Sequence, residues 1–492
     1  MEWHEIQGLV SKLRANGDTI GMCHGVFDLL HPGHISHFEY AKGLVDFLVV
    51  SVTDDSFVNK GPGRPYFKIQ ERIQFLKAIN SIDCVVISRK PTAIDLIGEI
   101  KPDIYFKGPD YKKLEDDVTG QILQEKKTVE QFGGTLRFTE GFTSSSSRLI
   151  NTAFSTLPDE TISWLKEFRG KHSLNEIYKY LDAITQLKVT VIGEAIVDVY
   201  TQVSALGKTS KDPILAFQLG ETKVYPGGVL AIANSISRLV AQTSLITCTR
   251  KDDDKTRSLI NSLNCESFVI ETAAPTITKH RYFSGTTKQF ETYDFDPIFM
   301  SNLNISDLLP KKTMQSADLV IVADYGHGFV EEKVADSIRD SAKYLCVNVQ
   351  ANAGNRGINS LDKYKQFEFF TANSGEIQIQ SRLMNPDYDK LINEIIRVKN
   401  AKGAIMTEGE RGLRVYSDQI TRAPALGVKV VDKVGAGDTV FALASLLFKV
   451  EAPPAIIGFL TNFAAAQEVS VQGHHKALSI VDFKKHVGVL LA

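Results

Sequence analysis

Two imidazoles three residues apart, His31 and His34, follow an apolar run at the point where Pro32-Gly33 opens a helical pattern. A helix N-terminus offers unpaired backbone N–H groups and the positive end of the helix dipole. Histidine donors placed there favour an anion and stabilise charge growing on a phosphorus atom. Gly25 and Gly33 let the backbone approach a phosphate closely. No nucleophile is required, because a bound phosphate can itself attack. The same pair also reads as a helix cap beside a surface histidine, or as half of a metal chelate, although no third ligand of matching local spacing follows. Far downstream, Asp432-Lys433-Val434-Gly435-Ala436-Gly437-Asp438-Thr439 precedes an apolar helix from Val440 to Leu447. Gly435, Ala436 and Gly437 are small enough to expose their N–H groups to a phosphate. Asp438 is placed to accept a proton from an alcohol attacking a terminal phosphate, a step that needs positioning and charge neutralisation more than covalent help. A dinucleotide-binding glycine turn would need a third glycine where Val440 stands. A P-loop ending at Gly207-Lys208-Thr209 would need glycine at position 202, which is Gln202.

Both clusters lie in stretches that alternate short apolar runs with helical patterns, the mark of α/β folds with mainly parallel sheets. In the first stretch, strands are expected at 19–23, 47–53, 84–88, 104–106 and 135–138, with helices beginning near Gly33, Ile69, Ala93 and Gly120. In the last, strands are expected at 189–192, 244–247, 319–323, 344–348, 367–371 and 404–407. The segments 276–283 and 289–294, separated by Ser284-Gly285-Thr286-Thr287, read as an antiparallel hairpin. Between the stretches, Ile162, Leu165 and Phe168 share one helical face. Ser173-Leu174-Asn175-Glu176 then fits a capping box ahead of Ile177, Leu181 and Ile184. These two helices must bury their apolar face against a domain or a second subunit. The domain organisation expected is 1–150, a helical linker at 151–187, and 188–492.

Composition narrows the function classes. Of 492 residues, 43% are hydrophobic and 23% charged, and the formal charge is −2, which gives no support to a nucleic-acid-binding surface. No apolar run is long enough to span a bilayer, and Met1-Glu2-Trp3-His4-Glu5 lacks the order of a signal peptide. Five scattered cysteines without Cys-x-x-Cys spacing argue against a disulfide scaffold or a thiolate zinc site, and a cytoplasmic location is expected.

The first cluster extends into a wider pattern. Gly25-x-Phe27-Asp28 with His31-x-Gly33-His34, then Ser51-Val52-Thr53-Asp54, Lys60 and Arg64 ahead of Gln70-Glu71-Arg72, Lys107-Gly108-Pro109-Asp110-Tyr111, and Thr143-Ser144-Ser145-Ser146-Ser147 occur in order. Together they resemble the cytidylyltransferase-like nucleotidyltransferases over 17–151. The resemblance implies a Rossmann-like domain in which His31 and His34 stabilise the transition state. It places Gly25, Phe27, Asp28, Lys60, Arg72, Lys107, Gly108, Ser144, Ser145 and Ser146 at the nucleotide. Phe138 stands where the glycerol-phosphate cytidylyltransferases carry arginine, a point in which the loop is more similar to the heptose-phosphate adenylyltransferases. His24 stands where many relatives have asparagine.

The second cluster resembles the ribokinase-like sugar kinases over 188–485. Asn373-Ser374-Gly375-Glu376 is similar to their Asn-x-x-Glu, which implies Asn373 and Glu376 ordering Mg2+ through water. Thr407, Gly409, Gly412 and Asn462 would bind nucleotide. Gly227, Gly228 and Asn234 would lie on the sugar side, with Glu194 and Asp198. Lys208, Lys211, Lys279 and Arg281 would form a basic cluster for a phosphate already on the sugar, against the plainer reading of a solvated charged face. With Pro275-Thr276-Ile277-Thr278-Lys279 and Ala323-Asp324-Tyr325, the pattern is most similar to the heptose-phosphate kinases, which carry Gly-Asp where Gly193-Glu194 stands, Asp198 being kept, and Asp-Pro-Lys where Asn348-Val349-Gln350 stands. The fold expected is α/β throughout, the second domain ribokinase-like with a small β lid.

A sugar kinase and a nucleotidyltransferase on one chain imply consecutive steps: anomeric phosphorylation of a heptose 7-phosphate type of sugar by ATP, then nucleotidyl transfer from ATP or CTP. Sugar phosphates and nucleotides are the expected partners, with pairing of two copies into a homodimer. The alternatives are a CTP-dependent enzyme for a polyol phosphate, a domain that only senses nucleotide, and a scaffold held through 151–187.

Overall fold

The computed structural model describes residues 3–58, 64–90, 92–108, 121–139, 157–296, 304–355, 357–427, 430–471, 473 and 479–491. The chain divides into two compact units, Met1–Thr156 with Val481–Ala492, and Leu157–Ile480.

In the first unit, β1 (Ile20–Gly25), β2 (Phe47–Thr53), β3 (Cys84–Ser88), β4 (Ile104–Lys107) and β5 (Thr135–Phe138) form a parallel sheet in the order β3-β2-β1-β4-β5. Helices cover both faces, so the strands read as continuous apolar runs rather than alternating ones. Separate apolar clusters lie on the two faces, one around Met22, Val49 and Tyr105 and the other around Cys23, Val50 and Phe106. The chain order reverses between β1 and β4. Connections leave these neighbours in opposite directions and open a crevice beyond their carboxyl ends, where open α/β sheets bind ligands. The helix Pro32–Lys42 starts at that crevice. Proline at its first position and the His31 side chain, which accepts the Gly33 N–H at 3.1 Å, fix where it begins.

The second unit is built on a nine-stranded sheet. Its strands are β6 (Lys188–Gly193), β9 (Gln242–Arg250), β10 (Glu266–Thr272), β13 (Leu319–Asp324), β14 (Leu345–Val349), β15 (Phe369–Asn373), β16 (Gly403–Thr407), β17 (Leu413–Tyr416) and β18 (Ile420–Ala423). The order is β10-β9-β6-β13-β14-β15-β16-β17-β18, with every pairing parallel except those that β17 makes with β16 and β18. A second sheet, β12-β11-β7-β8, is made of β7 (Ala195–Lys208), β8 (Leu215–Gly228), β11 (Ile277–Ser284) and β12 (Thr287–Asp294). The β11–β12 pair is the expected antiparallel hairpin, turning at Gly285 with φ +63°. The expected α/β architecture with a small β lid is thus present.

The helices Asp159–Lys171 and Leu174–Ile184 belong to this second unit. Ser173 Oγ accepts the Glu176 N–H at 3.1 Å, which starts the second helix. The Phe168 ring stacks on Phe459 with centroids 4.6 Å apart, and Trp164 Nε1 donates to the Arg422 carbonyl at 3.2 Å. Of the two covers expected for this apolar face, the domain supplies it. Against the expected boundaries at 150 and 187, both helices fold with the second unit, and Ile480–Leu491 folds with the first. Local patterning marks a helix but carries no sign of which unit it packs on.

Candidate active sites

The first site gathers where β1 and β4 end side by side, with Cys23 opposite Phe106. Phe27 takes a left-handed backbone, φ +49°, which bends the chain away from β1 and sets its ring edge-on to His34 at a centroid distance of 5.5 Å. The rings of His31 and His34 lie 3.9 Å apart. His31 Nδ1 is the acceptor at the helix cap, so in the neutral ring the proton sits on Nε2, a donor at the helix N-terminus. A Cβ at Gly25 would stand 3.0 Å from Phe27 Cζ, so a side chain there would crowd the bend. Lys107 ends β4 with its ammonium 2.7 Å from Glu125 Oε2, and Gly108 follows it.

Two further expectations take different roles. Asp28 is buried, accepts the Phe67 N–H at 2.9 Å and faces Arg64 at 3.4 Å, which ties down the loop ahead of the helix Ile69–Lys77. Arg72 was expected at the triphosphate, but it is wholly buried. Its guanidinium donates to the Phe67 carbonyl (3.0 Å), the Val26 carbonyl (2.6 Å) and Asp55 Oδ1 (2.6 Å). It clamps the backbone beside Phe27 and does not reach outward. Lys60, Ser144, Ser145 and Ser146 lie outside the described residues. The sequence had not marked His37, whose Nδ1 is 2.9 Å from Thr139 Oγ1. Burial, then Lys107, pushes its pKa down to about 4. His24, 3.0 Å from Ser51 Oγ, is pushed down to about 3 by burial, then Lys107 and Lys485, the last from the helix Ile480–Leu491. Both rings are therefore neutral at pH 7.

The second site forms at the helix Ala436–Lys449. Gly435 precedes it with φ +86°, a backbone that favours glycine, and an added Cβ at Gly437 would meet nothing within 4 Å. That open stretch of N–H groups is an anion cradle, with Asp438 in the first turn. Asp432 anchors the run, accepting from the Val434 N–H at 3.0 Å and from the Tyr200 hydroxyl of β7 at 2.9 Å. On the sugar side, Asp198 pairs with Arg281 across the β7–β11 ladder, both buried. A Cβ at Gly227 would stand 2.5 Å from Asp198 Oδ2, and one at Gly228, φ +57°, 2.8 Å from the Glu194 carbonyl. Only glycines admit these approaches. Lys279 is buried, and desolvation lowers its pKa while Asp198 opposes the shift; Asp438 is also within its electrostatic reach. Asn234 is half-buried on the helix Val229–Ile236.

The expected four-cation cluster splits in two. Lys208 and Lys211 are exposed at the far turn of the β7–β8 hairpin, ten residues and about 30 Å along the strand from Asp198. Lys279 and Arg281 are buried at its base. Glu194, expected to read a hydroxyl, has both carboxylate oxygens on backbone donors, Tyr325 N–H at 3.0 Å and His327 N–H at 3.1 Å. Burial and the neighbouring Asp324 push its pKa up. Asp324 itself is wholly buried, held by Lys363 (2.6 Å) and the Tyr364 hydroxyl (2.7 Å). Asp324 and Tyr325 stood out in the sequence only as part of the Ala323-Asp324-Tyr325 run and were given no role, and Lys363 and His327 were not marked. The signal available was a charged residue at the end of an apolar strand, ahead of Gly326 and Gly328.

On the nucleotide side, Asn373 and Thr407 end β15 and β16 as direct neighbours. Asn373 Oδ1 accepts the Glu376 N–H (2.9 Å) and Glu376 Oε2 accepts the Asn373 N–H (2.8 Å), a reciprocal cap on the helix Ser374–Ser381. Glu376 is pushed up to about 7, chiefly by burial, with Asp438 adding repulsion. Gly409 (φ +62°) and Gly412 (φ +91°) shape the loop after β16, and a Cβ at Gly412 would stand 2.1 Å from the Ala423 carbonyl. Asn462 was expected near the base. Its amide donates to the Ala423 (2.9 Å) and Pro424 (3.2 Å) carbonyls, so it holds the end of β18. Among the described residues, no group of three His, Cys, Asp or Glu could cage a metal. Two mutually repelling carboxylates, Glu376 and Asp438, still fit Mg2+, which usually keeps its waters and binds one or two carboxylates plus substrate phosphates.

Comparisons with known proteins bear on the family of each unit. Residues 186–474 match the model of the pfkB family carbohydrate kinases, and residues 22–151 match the cytidylyltransferase-like model. The chain belongs to the pfkB carbohydrate kinase family and carries a cytidylyltransferase-like domain ahead of the kinase domain. A pfkB kinase-family domain and a cytidylyltransferase-like domain thus share one chain. Among curated proteins, it is 40% identical over 151 residues to the "Bifunctional protein HldE" of Koribacter versatilis, covering 30% of this chain and 29% of that one. It is 36% identical over 134 residues to the protein of that name from Magnetococcus marinus, covering 27% and 26%. The matches span between a quarter and a third of those relatives. Among solved structures, phosphofructokinase-2 of Escherichia coli in complex with potassium aligns at TM-score 0.51 and 15% identity, over 62% of this chain and 99% of that one. Its tetrameric inhibited form aligns at 0.50 and 15%, over the same shares. These two likenesses show the fold. No helix among the described residues is long and apolar enough to cross a membrane.

Proposed function

We propose that the chain makes a nucleotide-activated sugar in two consecutive steps. In the first, a heptose 7-phosphate type of sugar is phosphorylated at its anomeric hydroxyl by ATP. Asp438 takes the hydroxyl proton as that oxygen attacks the γ-phosphorus, the bond to the β-phosphate oxygen breaks, and ADP leaves. The N–H groups at Gly435, Ala436 and Gly437 receive the charge on the transferring group. Mg2+, when bound through water near Asn373 and Glu376, would supply charge neutralisation at the phosphates. In the second step, an oxygen of the sugar's 1-phosphate group attacks the α-phosphorus of ATP or CTP and pyrophosphate leaves; the 7-phosphate carried through the first step stays on the sugar unless a separate hydrolysis removes it. His31 and His34 stabilise the charge that develops there. The product is an ADP- or CDP-activated sugar of the kind used for surface polysaccharide such as lipopolysaccharide or capsule.

The observation that carries this reading is the occurrence on one chain of two chemically different arrangements suited to holding phosphate. One is a histidine pair at a helix N-terminus. The other is a glycine cradle with Asp438 and a buried polar sugar side. The name borne by the curated relatives agrees with it. The test is a one-pot assay with ATP and magnesium, offering sugar 7-phosphates with CTP, GTP or UTP in turn, read by mass spectrometry. A nucleotide-sugar mass supports both steps and names the base. A sugar bisphosphate alone keeps the kinase step and removes the transferase substrate. No new mass sinks the proposal in favour of a different sugar or a nucleotide sensor.

A further inference from the structure

His327 sits between Gly326 (φ +69°) and Gly328 (φ +97°), just beyond β13, on a turn held by Glu194 through the backbone N–H groups of Tyr325 and His327. Its side chain is 3% exposed. Phe295 meets the ring edge-on at 5.0 Å, and a Cβ at Gly354 would stand 2.7 Å from its Cε1, so the ring has little room to turn. Both ring nitrogens are nonetheless buried without a hydrogen-bond partner. Buried polar atoms are almost always paired, and leaving two on one ring unpaired costs stability. The ring lines a cleft with Glu194, Thr249, Thr276 and Asp296. Its neighbour Tyr325 lies next to Asp438, whose carboxylate, after burial, raises the phenol's pKa.

We propose that His327 is a specificity residue of the kinase site, whose imidazole hydrogen bonds a hydroxyl of the bound sugar. This rests on the kinase reading above. The chemistry of the cleft favours a hydroxyl over a phosphate. Burial, then the nearby Lys279, pushes the ring's pKa down to about 4, so at pH 7 it is neutral, with one nitrogen donating and the other accepting. A hydroxyl has the same two capacities. The Asp296 carboxylate lines the same cleft and opposes a phosphate dianion. A pocket that leaves such a ring unpaired until substrate arrives rejects a sugar lacking the matching hydroxyl.

The test uses the full chain with fructose 6-phosphate, mannose 6-phosphate, heptose 7-phosphates and their monodeoxy analogues. Ring 15N signals of labelled histidine are recorded with and without each sugar, without ATP, and His327 is assigned by its loss in His327→Asn. We expect the His327 signals to move with any sugar that the unaltered chain phosphorylates. We expect His327→Phe to lower kcat/KM for the best sugar by about 10- to 100-fold. That loss should shrink for the one analogue missing the recognised hydroxyl. An unmoved signal with a sugar that is turned over, or an equal loss across all analogues, overturns the proposal and leaves the kinase reading standing. Turnover of no sugar in the set removes the kinase reading and this proposal with it.

Discussion

Arg281 and Asp198 face each other across neighbouring strands of the lid, with Arg281 opposite Tyr200 and Asp198 opposite Lys279 in the ladder, and their side chains pair while both are buried. The pair joins the hairpin strand β11 to β7 at the point where Gly227 closes on Asp198. It fixes the floor of the sugar side and holds a carboxylate that would otherwise be buried alone beside Lys279.

Removing the arginine should therefore cost more than a surface ion pair. Arg281→Met leaves Asp198 buried and undercompensated, and we expect a loss of about 3–5 kcal/mol in the stability of the second unit. Chemical denaturation followed by hydrogen exchange in β7 and β11 measures it. A change within 0.5 kcal/mol would mean that the pair is wet and weak, as surface pairs are.

The two sites should fail separately. We expect Asp438→Asn to lower sugar-dependent ADP formation by about 10²–10⁴-fold, the usual worth of a positioned general base, with pyrophosphate release from the nucleoside triphosphate in the presence of sugar 1-phosphate unchanged. His34→Ala should do the reverse. Loss of both activities from either substitution in a folded protein would show that the sites are not independent.

Glu376 should leave a pH signature. Its pKa is raised from an ordinary 4.5 to about 7, so the folded state holds its proton where the unfolded state has released it. Its contribution to stability is fully present below about pH 4.5, falls as pH rises from there, and levels off above pH 7. The denaturation midpoint of the unaltered protein relative to Glu376→Gln should therefore drop between pH 5 and 7 and then flatten. A difference independent of pH would place the ordinary carboxylate value at this site. The same proton should compete with magnesium, so half-saturating magnesium for the kinase step should rise as pH falls below 7.

What the sequence disclosed follows from how local each signal is. The strands at 47–53, 84–88 and 135–138 carry the bounds expected for them; the first two are buried apolar runs between turn residues, while 135–138 is a half-exposed edge strand that follows Gly133-Gly134. The β11–β12 hairpin was legible for a similar reason, its turn being four small polar residues. The helix Trp3–Asn16 was not expected, since no capping pattern announces it. The long hairpin of β7 and β8 was also missed, because its outer half is exposed, Leu206, Leu215 and Leu219 included, and no buried face marks it. Motif residues were found because the phosphate cradles are contiguous in the chain. Their tasks were less legible where partners are distant. Arg72 reaches Val26, 46 positions away, and Asn462 reaches Ala423, 39 away, and nothing within either motif points to those carbonyls. His327 was passed over because a lone histidine between glycines looks like a turn, and its value lies in what surrounds the ring in space.

The helix Ile480–Leu491 completes the unit that begins the chain, which makes the kinase unit an insertion in the middle of another fold. During synthesis, the transferase unit emerges first yet waits for its last helix until roughly 320 further residues have been added, on the order of 20–60 s at about 5–20 residues per second. The kinase unit meanwhile has its whole sequence available and folds on the ribosome beside an unfinished neighbour. A nascent chain stalled near residue 480 would already hold every residue of the second unit while the first still lacked its closing helix, so the order in which the units become complete is the reverse of the order in which they begin.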